Sequence, residues 1–233
     1  MNEQIALPRD YNPDAVFSIH SIFSSIQGEG PFSGIPAIFI RFAGCNLQCP
    51  HCDTDYTYPT TRMNISKILD EVTAIRSSGL VVITGGEPFR QSFKPLLEEL
   101  LCTGFYVQIE TNGTITPFEF NWSLRPEAKY GAYIVCSPKL PKINRRTFEA
   151  SCALKYVIDA GNVSEEDGLP LTTLGNGQAP ARPPEGWNRE VFIQPMDSGD
   201  PQENERHIEA TLRSAMEFGY RFQFQIHKLL EIQ

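Results

Sequence analysis

The sequence predicts an α/β protein built on a mainly parallel sheet. Two observations carry this. Short apolar runs of strand length alternate with amphipathic stretches of helix length, which is the grammar of βαβ units. Polar or glycine-rich residues follow every run, at the strand end where parallel α/β folds build their sites.

Taken in order, the runs are AIFIRFA (37–43), LVVIT (80–84), FYVQIE (105–110), AYIVC (132–136), ALKYVID (153–159) and VFIQPM (191–196). They are continuous rather than alternating, as suits strands covered on both faces. The residues that follow are GCNLQC, GGEP, ETNG, SPK, Asp159 and QPMD. One such ending would be an ordinary turn; the repetition predicts a shared functional rim.

Three helices are expected between and after the runs. Asn64 caps the first, which carries Ile65, Ile68, Leu69, Val72 and Ile75 on one face and ends at Gly79. The second carries Phe93, Leu96, Leu97, Leu100 and Leu101 and ends at Gly104. The third follows Pro201, carries Ile208, Leu212, Ala215 and Met216, and ends at Gly219. Crossovers between parallel strands should be right-handed. Residues 160–190 are dense in Gly and Pro and have no helical period. They read equally as a surface insertion beside the site and as an idle loop.

Composition excludes several classes. The chain has 233 residues, 41% hydrophobic and 21% charged, which is globular rather than disordered. Mean hydropathy is −0.26, and no apolar run approaches the roughly 20 residues of a membrane helix. The first residues lack the basic-then-apolar pattern of a secretory signal, so a soluble cytoplasmic protein is expected. The net charge of −8 leaves no basic stripe for a nucleic-acid backbone. The nearest approach, Lys139, Lys142, Arg145 and Arg146, reads as a solvated loop with a substrate or cofactor contact.

The stretch GCNLQCPHCDT (44–54) concentrates three of the six cysteines, Cys45, Cys49 and Cys52. Cys102, Cys136 and Cys152 lie in apolar contexts and read as small core residues. The triplet leaves several readings open. A structural zinc site needs four ligands, and His51 is awkwardly placed to be the fourth. CPHC matches a redox pair but leaves Cys45 unexplained. An iron–sulfur cluster normally takes four thiolates, so three would leave one iron with an open position for a ligand.

CNLQCPHC matches the CxxxCxxC signature of the radical S-adenosylmethionine superfamily, and TGGEP (84–88), at the end of the next strand, resembles that superfamily's GGEP motif. SIQGEGPFSG (25–34), RFAGCNLQC, CDT, TGGEP, ETNGT, SPK, QPMD and the terminal HKLLEIQ then follow in order. This set resembles the 7-carboxy-7-deazaguanine synthase family from about Ser18 to Gln233, most weakly over residues 140–190.

The resemblance implies one radical S-adenosylmethionine domain over 1–233, an incomplete parallel β/α barrel. Residues 18–36 would be a substrate-binding extension and 160–190 a loop-rich insertion. It implies a carbon–nitrogen lyase that contracts the ring of 6-carboxy-5,6,7,8-tetrahydropterin, with loss of ammonia, through a 5′-deoxyadenosyl radical. Cys45, Cys49 and Cys52 would hold a [4Fe-4S] cluster. His51, Cys52, Asp53, Gly86, Ser137, Pro138, Lys139, Gln194, Pro195, Met196 and Asp197 would line S-adenosylmethionine. Ile26, Gln27, Gly28, Arg41, Thr84, Glu110, His227 and the carboxylate of Gln233 would contact the pterin, and Thr54 would help bind Mg²⁺. No side chain is assigned as catalytic. A flavodoxin- or ferredoxin-type reductant and a homodimer are also implied, with no nucleic-acid or membrane partner.

Plainer readings stand beside these roles. Arg41 could pair with a buried carboxylate, Glu110 could cap a turn, His227 could be a surface residue and Asp53 a turn residue. Gln233 stands where the family has proline, and Phe89 where a smaller or aliphatic residue is common. Rival functions are a glycyl-radical activase and a zinc-stabilised binding module without catalysis.

Overall fold

The computed structural model describes residues 2–75, 78–175 and 177–232. A single nine-stranded sheet runs through them. In chain order its strands are β1 (Val16–Ile26), β2 (Pro36–Phe42), β3 (Thr61–Asn64), β4 (Leu80–Gly85), β5 (Tyr106–Thr111), β6 (Ala132–Cys136), β7 (Ser151–Ile158), β8 (Glu190–Pro195) and β9 (Arg221–Phe222). The helices are α1 (Ile65–Ile75), α2 (Lys94–Cys102), α3 (Arg145–Ala150), α4 (Pro201–Phe218) and α5 (Ile226–Leu229).

The spatial order is β3-β1-β2-β4-β5-β6-β7-β8-β9. From β2 onward every neighbour is parallel. The six expected runs are six consecutive strands of this parallel part, β2 and β4 to β8, and the two-residue β9, which the sequence did not announce, adds a seventh. β1 adds an antiparallel extension against β2 and β3. Both ends of the sheet stay open, so the architecture is an incomplete α/β barrel. Sequence reasoning missed β1 as a strand. Its register shifts between Ile19 and Ser21, which moves later side chains to the other face and breaks the alternation.

The two faces of the sheet bury different layers. Ile38, Ile40, Val81, Ile83, Val107 and Ile109 pack with Ile68 and Val72 of α1 and Leu96, Leu97 and Leu100 of α2. Alternate residues Ala37, Phe39, Leu80, Val82 and Tyr133 form a second layer with Phe32 from the β1–β2 connection. Phe32 meets Tyr106 and Tyr133 edge-on. This layer fills the inner face near the strand starts, which leaves the strand ends for polar groups.

Asn64 and Gly219 act as caps where expected, and Asp200, not foreseen, caps the start of α4. Asn64 Oδ1 accepts from the Lys67 amide at 2.9 Å, a contact that stabilises α1 by about 1 kcal/mol. Asp200 accepts from Gln202 and Glu203 at the start of α4, and Gly219 ends that helix at φ +75°.

Two expectations are corrected. Leu212 and Met216 of α4 are exposed, Met216 by 86%. The face that α4 buries carries His207, Ala210, Thr211 and Ser214. Those small and polar side chains bond to the 160–190 segment: Ser214 donates to the Gly168 carbonyl at 2.6 Å, and the Ala160 amide meets His207 Nδ1 at 2.9 Å. Cys136 and Cys152 are buried, but Cys102 at the end of α2 is exposed.

Candidate active site

Chemistry gathers at the C-terminal ends of the parallel strands. A cavity of about 400 Å³ opens there. Register places Arg41 of β2 beside Thr84 of β4. Glu110 is near the end of β5, and its Oε2 accepts from the Thr84 hydroxyl at 3.0 Å. Glu110 Oε1 accepts from Gln27 at 2.9 Å and from Gln108 at 3.0 Å. Burial, followed by the charge of Glu29, pushes the Glu110 carboxyl above its ordinary range. The Arg41 guanidinium lies 5.2 Å over the Phe23 ring, and its Nε is buried with no hydrogen-bond partner among the described residues. No ion pair holds Arg41 among the described residues.

Sequence reasoning missed the buried ion pair between Glu29 and Lys155 of β7. Glu29 Oε1 also accepts from Gln194 at 2.9 Å and Gln225 at 3.0 Å. Burial opposes the charge on both partners, and their mutual attraction outweighs it. Glu29 is therefore held below its usual range and Lys155 above. A signal for both existed. Glu29 lies within QGEG, and Lys155, like Arg41, is a lone charge inside an apolar run.

The cysteine loop follows β2. Its three cysteines are free thiols. The Leu47 amide lies 3.4 Å and Asn112 Nδ2 3.8 Å from Cys45 Sγ. Burial raises all three thiols, Cys45 to about 12. A reactive redox dithiol needs a lowered value, so the CPHC pair is not tuned as one. Among the described residues no three His, Cys, Asp or Glu side chains converge on a single ion. Zinc demands such convergence, with sulfur about 2.3 Å away. A cluster takes one thiolate per iron and is favoured by amide donors to sulfur, so the loop fits a cluster better than one ion.

The GGEP turn at the end of β4 is built onto this loop. A Cβ on Gly85 would stand 2.1 Å from the Phe42 carbonyl oxygen, and one on Gly86 2.2 Å from that of Gly44. Only glycine permits such backbone contact. Glu87 is fully buried and accepts from the Phe89 and Asn112 amides and the Thr111 hydroxyl. Burial still lifts its carboxyl to about 7. It ties the turn after β4 to the end of β5. Phe89 packs among Phe93, Phe118 and Trp122 in the outer core and does not line the cavity.

The C-terminal segment covers the opening. Lys228 of α5 pairs with Asp53 at 2.8 Å and with Asp197 at 3.4 Å. Burial opposes the Asp53 charge, but the Lys228 ammonium and the Gln225 amide hold its carboxyl well below the usual range. Burial lowers His227, favouring its neutral form. Gly28 lies where α5 crosses: a Cβ would approach the Ile226 nitrogen to 2.8 Å. The 160–190 segment also reaches the site. The His51 amide donates to the Leu174 carbonyl at 3.1 Å, and Leu174 lines the cavity.

Of the residues singled out from sequence, Gln27, Arg41, His51, Cys52, Asp53, Thr54, Thr84, Gly86 and Glu110 line this one cavity. Ser137, Lys139, Gln194, Met196, Asp197 and His227 complete it. Lys139 donates to Ser137 at 2.6 Å. Ile26, Gly28, Cys45, Cys49, Pro138 and Pro195 are not part of its lining. Gln233 lies outside the described residues.

The profile of the radical SAM superfamily matches residues 39–121, a span that holds all three clustered cysteines and GGEP. A 7-carboxy-7-deazaguanine synthase of Rhodospirillum rubrum is 42% identical over 224 residues and 92% of each chain. The chain belongs to that family. A 7-carboxy-7-deazaguanine synthase of Rickettsia prowazekii is 38% identical over 92% of this chain and 88% of its own. The crystal structure of QueE from Escherichia coli superposes with a TM-score of 0.65 at 22% identity, covering 90% of this chain and 93% of that one. That likeness concerns the fold. Membership makes this chain a radical SAM lyase, and the superfamily implies a [4Fe-4S] cluster with S-adenosylmethionine. No helix among the described residues is long and apolar enough to cross a membrane.

Proposed function

We propose that this deazaguanine synthase family member converts 6-carboxy-5,6,7,8-tetrahydropterin to 7-carboxy-7-deazaguanine, with release of ammonia and with Mg²⁺ as a further cofactor. The observation that carries the substrate is the Arg41–Thr84–Glu110 row with Gln27, a cation with no ion-pair partner among the described residues beside an amide-and-carboxyl edge on one cavity wall.

When bound, the cluster and S-adenosylmethionine supply one-electron hydrogen-abstraction chemistry. The chain's residues bind and orient. The thiolates of Cys45, Cys49 and Cys52 hold the cluster. The backbone of Gly86, with Ser137, Lys139 and Gln194, lines S-adenosylmethionine. Arg41 meets the pterin carboxylate with a planar fork, and its seat on Phe23 limits its motion. Gln27, Thr84 and Glu110 read the donors and acceptors of the heterocycle. The Thr54 hydroxyl supplies one oxygen to Mg²⁺, an ion that keeps most of its waters. Phe23, Phe39 and Val135 give the cavity apolar wall, and α5 covers it, which limits water. A flavodoxin- or ferredoxin-type donor and a homodimeric assembly complete the reading.

The test is an anaerobic incubation of reconstituted protein with reductant, S-adenosylmethionine, Mg²⁺ and the carboxytetrahydropterin. Carboxydeazaguanine should form without net loss of S-adenosylmethionine. An intact cluster with no turnover would sink the substrate assignment. Cys49→Ala should lose both the brown colour and activity. Thr54→Ala should keep the colour and lose its response to Mg²⁺.

A further inference from the structure

The segment before β1 forms no helix and buries few side chains; Ile5 is 74% exposed. It lies outside the span matched by the superfamily profile. Its ordering therefore owes little to apolar burial, and ordering each residue costs about 1–2 kcal/mol. Over residues 2–7 its hydrogen bonds converge on the cysteine loop. The Leu7 amide donates to the Cys45 carbonyl at 2.7 Å. Asn2 Nδ2 donates to the Cys49 carbonyl at 3.1 Å, and the Asn2 amide to the Pro50 carbonyl at 3.0 Å. Gln4 grips the far side of the loop with both ends of its amide. Its Nε2 donates to the Thr54 carbonyl at 2.9 Å, and its Oε1 accepts from the Tyr56 amide at 2.7 Å. The Thr54 carbonyl is also the oxygen that Cys52 Sγ faces at 3.6 Å. Every cysteine of the triplet thus has a contact with this segment, directly at its own carbonyl or through one shared oxygen. From Asn46 to Asp55 the loop has no helix or strand of its own to hold it otherwise.

We propose that residues 2–7 are a strap that positions the cysteine loop, with Gln4 and Asn2 as its positioning residues, and that it sets how firmly the cluster is retained. The retention part rests on the cluster reading above. A strap pre-orders three thiols that would otherwise have to be gathered as iron enters, and it slows the loop opening through which a cluster is lost.

The test uses full-length protein with Gln4→Ala, the double variant Asn2→Ala with Gln4→Ala, and Ile5→Ala as a control on the same segment. Hydrogen exchange of residues 44–56 is measured on metal-free protein, so it does not depend on iron uptake. Each hydrogen bond lost should speed exchange about fivefold. Release of iron in air, followed by loss of visible absorbance, should quicken in the same order. Ile5→Ala should behave as the parent, and global melting should be unchanged in all three. Unchanged exchange in the double variant overturns the strap, whatever the iron content. Faster exchange with unchanged iron release overturns its role in retention.

Discussion

Glu29 shows how much one buried charge can organise. Its carboxylate holds Lys155, Gln194 and Gln225, side chains from two strands and the C-terminal segment. Glu29→Gln would leave Lys155 as a buried ammonium without its counter-charge. That should cost about 3 kcal/mol, read as a lower denaturant midpoint at unchanged slope. An equal midpoint would show that the pair is solvated in solution. The cysteines yield a prediction of opposite kind. Burial raises their pKa values, Cys45 to about 12, so without metal they are neutral thiols at neutral pH. Iron binds thiolates and must displace the protons. Iron uptake should therefore rise steadily with pH on the alkaline side of neutrality, below the raised thiol pKa values, and the iron-to-protein ratio after anaerobic reconstitution at each pH checks this. A flat profile would mean that proton release does not limit loading.

At the scale of elements, the decisive contact is α5 against the site. Lys228 joins it to the cysteine loop through Asp53 and to the end of β8 through Asp197. These pairs are partly exposed and stabilise by about 1 kcal/mol or less each, enough to bias a short helix but not the fold. Burial opposes the Lys228 charge, yet Asp53 and Asp197 raise its pKa. Its contribution is therefore full below the ordinary lysine value and lost as pH climbs through the raised one. Asp53 is depressed, so its contribution is full above the ordinary carboxylate value and lost as pH falls through the depressed one. The contact should hold from about pH 4 to about pH 10. Lys228→Ala should speed exchange at residues 225–232 several-fold at neutral pH while leaving β4 and β5 protected. Equal protection in parent and variant would show that α5 docks by other contacts.

For the whole molecule, the outer core around α1 and α2 and the inner polar cavity lie on opposite faces of one sheet. The core therefore does not require an occupied site. Cluster-loaded protein should melt above metal-free protein, because a group bound only by the native state adds stability by mass action. Far-ultraviolet circular dichroism of the two should coincide below the transition. A metal-free form without strand signal would mean that the sheet needs the cluster to fold.

The six longer parallel strands were legible because each is a continuous apolar run bounded by polar chemistry, whereas the two-residue β9 leaves no run to read, and α1 and α2 were legible because their apolar faces are periodic. Cys45, Cys49, Cys52 and the GGEP turn were legible because a clustered thiol motif and close backbone contact allow few residue types at few spacings. The antiparallel β1 was obscured by its bulge, and the buried face of α4 by small polar side chains bonded to a loop. Glu29 with Lys155, Lys228 with Asp53, and Gln4 with Thr54 stand 126, 175 and 50 residues apart. Local pattern determined the order of the six longer parallel strands, the cysteine triplet and the family resemblance. Only the tertiary structure decided which distant charges and amides meet, because Coulomb attraction and hydrogen bonds depend on distance in space and leave no period in the sequence.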